Sequence, residues 1–155
     1  MSAGPASDFR TGTWGWPTTT RIVLRPFEQP TGEYGPGHRG IDLRADVGAP
    51  ASAPADGVVA FAGSVAGRPV VTIDFGGGLV GTLDAVAPSV QSGDAVVRGQ
   101  WVGTIATGAV SAGHCGGVAS CLHLGARLDG VYVDPLLYLS APEWPVLLPL
   151  GVVPW

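Results

Sequence analysis

The sequence predicts an all-β fold: an antiparallel β-sheet core of barrel or sandwich type, with one short helical turn near the C-terminus. Three observations carry this expectation. Glycine (25) and proline (14) make up a quarter of the 155 residues, about twice their usual share. Charged residues are only 13%, roughly half the ordinary fraction, which leaves few residues to cover helix surfaces. No window sustains a 3.6-residue apolar period, whereas short runs of Val, Ile and Leu bounded by Gly, Pro or Asp recur throughout. The apolar share of 46% suffices for a core, and the length suits one domain.

In chain order, residues 1–19 read as an irregular arm, with Trp14 and Trp16 expected to pack onto the domain surface. The domain proper is expected over 20–140, followed by a Pro-rich apolar tail over 141–155. Strands are expected at 21–24, 40–43, 56–62, 70–75, 79–83, 100–106 and 122–128. Gly76, Gly77 and Gly78 join two of them as a hairpin turn, because glycine tolerates successive positive φ values. A second turn region holds Gly93, Asp94 and Gly99. The helical turn lies at 134–139, with Asp134 as cap and Pro135 in its first position.

Charge excludes some functions. A net charge of −4 and an isoelectric point near 5.1 argue against a nucleic-acid partner, which requires a basic stripe. All eight basic residues are Arg, and Lys and Asn are both absent; their codons are A-rich, which points to a GC-rich genome. Gly57-Val58-Val59 and the stretch from Gly93 to Gln100 look like biotin or lipoyl carrier turns, yet such carriers need a lysine that this chain lacks. The tail segment from Trp144 to Trp155 is 12 residues broken by three prolines, too short to span a membrane; a final strand or clip is the expected role. Residues 1–10 have neither a basic start nor an apolar centre and do not read as a signal peptide.

The chemistry concentrates around the three histidines. His38-Arg39-Gly40-Ile41-Asp42 sets an imidazole and a carboxylate four apart where a loop runs into a strand. Cys121-Leu122-His123-Leu124 opens an apolar strand, and alternation puts Cys121 and His123 on one face. Two imidazoles and one carboxylate, His38, Asp42 and His123, make the ligand set of an open catalytic zinc site. The bland alternative makes His38 a turn residue and Asp42 an alternating polar position. A phosphocarrier would use two facing histidines but gives Asp42 no task. Cys115 and Cys121 could form a disulfide, bind metal or stay reduced. A structural zinc site from His114, Cys115, Cys121 and His123 meets a cysteine spacing of five, outside the usual two to four. Tyr34, Arg44 and Asp46 read as ordinary loop groups, with Tyr34 able to donate to an oxyanion.

Four separated motifs follow in order: His38 to Leu43; Ala49-Pro50 with Ala53 to Val59; Val96 to Gly103; and Leu122-His123-Leu124. Over residues 20–140 this series resembles the lysostaphin-like (LytM-type, M23) peptidoglycan metallopeptidases, and within them a Cys-Leu-His form from high-GC Gram-positive bacteria. The resemblance implies an antiparallel β core, one zinc ion held by His38, Asp42 and His123, and hydrolysis of cell-wall peptide cross-links at glycyl or D-amino-acid bonds. It also implies a monomeric protein outside the membrane or on the cell wall, and a Cys115–Cys121 disulfide suited to that compartment.

Two departures stand against the family pattern. Cys121 occupies the first position of the usual His-x-His pair, and Ala85 stands where a second catalytic His normally follows. His114 is the one histidine left over, and a Cys115–Cys121 bridge would fold its loop toward the strand edge. His114 is therefore the candidate auxiliary group, with an exposed loop residue as the alternative. Asp84 is a lesser candidate base, because adjacent strand positions face opposite ways. The rival function is a degenerate module that binds cell wall or regulates another wall hydrolase without cutting.

Overall fold

The computed structural model describes residues 12–31, 37–106 and 120–140. In chain order the strands are β1 (Val23–Arg25), β2 (Ile41–Arg44), β3 (Pro50–Ser52), β4 (Gly57–Val65), β5 (Arg68–Asp74) and β6 (Leu79–Asp84). There follow β7 (Val86–Pro88), β8 (Ala95–Val96), β9 (Trp101–Ile105), β10 (Cys121–Leu128) and β11 (Val131–Val133). One 3-10 turn, Pro135–Leu137, completes the described elements, and the Asp134 carboxylate caps it by accepting from the Leu136 N–H at 3.0 Å. The all-β expectation, the helical turn and its cap are thus borne out.

An eight-stranded antiparallel sheet runs in the order β1-β2-β10-β6-β5-β4-β8, with β11 added beside β10. A three-stranded sheet, β3-β9-β7, packs against it. Both feed one core, in which Ile41, Leu43, Ile73, Leu83, Leu122 and Leu124 meet Ala51, Val86, Val102 and Ile105. Alternation explains the division of labour along β10. Leu122, Leu124 and Ala126 turn into the core, while Cys121, His123 and Arg127 turn to the opposite face. Each large side chain so buried contributes about 1.5–3 kcal/mol. On β6, Leu79 and Leu83 face the core, and Val80, Thr82 and Asp84 face the other way.

The strands β3, β7, β8 and β11 have two or three residues each and were not expected from the sequence. A segment of that length shows no periodicity of its own and is a strand only through its partner. Trp14 also departs from expectation: it is 2% exposed and belongs to the core, while Trp16 stays half-buried. Its ring lies 4.9 Å from Phe75 and 5.1 Å from Tyr138. Room for this exists because residue 81 is glycine; a Cβ there would sit 2.7 Å from the Phe75 ring and 3.4 Å from Trp14. Backbone bonds from Trp14 to Tyr138 and from Ser140 to Trp14 clip the two ends of the described chain together.

Candidate metal centre

Strand register assembles the site. Across the sheet, Arg25 pairs with Asp42, Asp42 with His123, and His123 with Asp84. Directly paired residues share a face with Cβ atoms about 4.5–5.5 Å apart, so Asp42 and His123 meet although 81 positions separate them. His38 joins from the segment before β2, where paired backbone bonds with Glu28 fix it at 3.0 Å in both directions. The structure therefore brings together all three residues expected as ligands.

The donor atoms suit a cation. His38 Nδ1 lies 2.8 Å from the Pro26 carbonyl oxygen, which can only accept, so this nitrogen carries the proton. In the neutral ring Nε2 is then the nitrogen with the lone pair, and it faces Asp42 Oδ1 at 3.3 Å. His123 Nδ1 stands 2.8 Å from the same oxygen. His38 is 5% exposed, Asp42 0% and His123 21%. Both His38 Nε2 and Asp42 Oδ2 are buried with no hydrogen-bond partner. A buried carboxylate and an orphaned imidazole nitrogen are costly without a positive centre between them. The three candidate donor atoms lie within 4.8 Å of one another, and zinc at its usual 2.0–2.2 Å from N and O donors holds neighbouring ligand atoms roughly 3.3 Å apart. The cluster fits such an ion.

Gly40 makes this packing possible. A Cβ at residue 40 would run into the Leu124 carbonyl oxygen and sit 2.6 Å from His123 Nε2. The glycine of the His38–Asp42 motif is thus set by the imidazole that arrives from β10.

The cluster lies in an open groove of about 550 Å³ on the solvent face of the sheet. Cys121, Asp84 and Ala85 line it beside the histidines. Cys121 is buried, and among the described residues no cysteine is a free thiol. His114, Cys115 and Tyr34 lie outside the described residues. Alternation puts Asp84 on the groove face with Val80 and Thr82, and Ala85 joins it there because its left-handed φ of 74° ends β6 and turns the chain into β7. Both residues consequently line the groove. Asp84 is held by Arg68, whose Nη1 lies 3.5 Å from Oδ2. Arg25, Arg68, Arg127 and Tyr132 also line the groove, and sequence reasoning missed them. Only long-range register gathers these residues; no local motif marks them.

Comparison with known proteins agrees with this geometry. An uncharacterized protein of Mycobacterium tuberculosis, Rv2891, is 39% identical over 133 residues, covering 82% of this chain and 51% of that protein. The chain thus spans about half the length of the curated relatives it matches. Among solved structures, Csd3 of Helicobacter pylori aligns with a TM-score of 0.66 at 24% identity, over 84% of this chain and 34% of that one. The catalytic domain of lysostaphin, the antimicrobial peptidase of Staphylococcus simulans, aligns at 0.56 and 21% identity, over 74% of this chain and 86% of that one. At these identities the two structures speak for the fold. The sequence model of peptidase family M23 matches residues 36–135, a span that takes in His38, Asp42 and His123. This chain belongs to peptidase family M23.

Proposed function

We propose that this chain is a zinc-dependent endopeptidase that hydrolyses peptidoglycan peptide cross-links outside the cell membrane, working as a monomer. The observation that carries the reading is the His38–Asp42–His123 cluster beside an open groove that both histidines line, with His38 Nε2 and Asp42 Oδ2 buried and without a hydrogen bond. Zinc held by these three residues would supply carbonyl polarisation and a water acidic enough to attack near neutral pH. The protein's own task is then positioning and proton transfer. The Pro26 carbonyl fixes the His38 ring and its tautomer, in the manner of outer partners that orient metal ligands. The open groove admits an extended peptide over the cluster.

A group must take a proton from the attacking water and return one to the leaving amine. We assign this to His114, brought to the groove by a Cys115–Cys121 disulfide. Support comes from Cys121, which is not a free thiol in a chain with two cysteines and lies two positions before His123. Asp84, the cross-strand neighbour of His123, is the lesser candidate base of this reading, supported by its position on the groove face. The Cys-Leu-His run at 121–123, with Cys115 upstream, fits the Cys-Leu-His form of the family that the resemblance suggests.

Ala85 and Cys121, at positions where the family resemblance places histidines, favour one rival: a wall-binding module without hydrolysis. Zinc-loaded protein on purified peptidoglycan separates the two. Release of new amino termini, lost in His123→Ala, is the expected outcome. No release from several wall chemistries, with zinc bound, makes the chain a binding module.

A further inference from the structure

The groove is basic in an acidic protein. The chain carries a net charge of −4, yet four of its eight arginines line this one groove: Arg25, Arg39, Arg68 and Arg127. Asp84 is the sole carboxylate among the described lining residues, and Arg68 pairs with it. Arg25 and Arg127 have no ion-pair partner among the described residues. Their positions flank the metal cluster. Arg25 is the cross-strand partner of Asp42 on the β1 side. Arg127 shares a face with His123 four positions further along β10, about 13 Å away at the usual rise per residue.

Arg127 is also pre-arranged. Tyr132 is its register partner on β11, and the guanidinium carbon lies 6.0 Å from the centre of that ring. Arg39 approaches the same ring at 5.7 Å. A guanidinium resting on a ring keeps its N–H edge free for a bidentate carboxylate, with less side-chain freedom left to lose on binding.

We propose that this groove selects peptides with free carboxylates on both sides of the scissile bond, one met by Arg25 and the other by Arg127 on the Tyr132 ring. The word scissile rests on the peptidase reading above; the selection by charge does not. A neutral glycine bridge offers these arginines nothing, so the inference distinguishes acidic peptide stems from glycyl bridges as ligands.

The test is equilibrium binding by calorimetry of one synthetic stem peptide in two forms, free acid and fully amidated, with and without bound zinc. The free acid should bind at least about tenfold more tightly, a difference of about 1.4 kcal/mol, and the preference should shrink as salt rises. Arg25→Gln and Arg127→Gln should each remove most of that preference while leaving the amidated form unchanged. Arg98→Gln, outside the groove lining, should change neither. Equal affinity for the two forms, no measurable binding of the free acid, or equal losses on both forms in the arginine variants would overturn the proposal. Selective binding of the acid without cleavage would sink the peptidase reading alone.

Discussion

The His38–Asp42–His123 cluster and the Asp84–Ala85 corner are neighbours across β10 and β6, yet they are constrained to different degrees. In the cluster, two of three ligands sit inside paired strands, the third is pinned by backbone bonds and by the Pro26 carbonyl, and a glycine gives the imidazole its space. At the corner, β6 stops, an alanine takes a left-handed φ, and the only described side-chain tie of Asp84 is a 3.5 Å pair with Arg68. The difference teaches that the candidate ligand positions are fixed by strand pairing and backbone bonds, whereas the corner beside them is held by few described contacts. Ala85 stands at that corner, whereas Cys121 is itself a strand residue of β10, paired with Arg44.

Substitutions should expose this contrast, and the largest effect belongs to the cluster. Asp42→Ala should abolish zinc binding and bring peptidoglycan hydrolysis to background, read by metal content and by new amino termini. Next comes the proton acceptor: His114→Ala should keep zinc and lower the rate by about 10²–10⁴-fold, the usual worth of a general acid–base group. Full rate in that variant removes His114 from the mechanism. Gly40→Ala should cost about 1–3 kcal/mol by forcing β2 and β10 apart, measured by urea unfolding, with weaker zinc retention. The smallest effect is at the corner. Ala85→Gly relieves a left-handed alanine and should stabilise by up to about 1 kcal/mol, leaving zinc content as it was. A loss of zinc in Ala85→Gly would show that the corner and the cluster are not separable.

Legibility in the sequence follows the same division. His38, Asp42 and His123 could be read because alternation fixes faces along a strand and because both ligand motifs are local. The strand pairing that brings them together joins residues 81 positions apart and needed the resemblance. Asp84 was undervalued because the site face was assigned to Ala85; alternation in fact carries Asp84 to that face with Val80 and Thr82, and the left-handed turn that lets Ala85 line it as well is not announced by the letters around it. The groove arginines were invisible for a different reason. Arg25, Arg68 and Arg127 come from β1, β5 and β10, and only the sheet order makes them neighbours. Trp14 went into the core because Gly81 opens a slot beside Phe75, a fit between distant residues that burial scales do not capture.

The central claim is that His38, Asp42 and His123 together hold one zinc ion. Its most direct test is the zinc content per folded chain after exhaustive dialysis, measured by atomic emission on wild type and on His38→Ala, Asp42→Ala and His123→Ala. The account predicts one zinc per chain in wild type and none in any variant that remains folded by circular dichroism. Stoichiometric zinc in folded His123→Ala, or a wild type that holds no zinc at saturating metal, would contradict it.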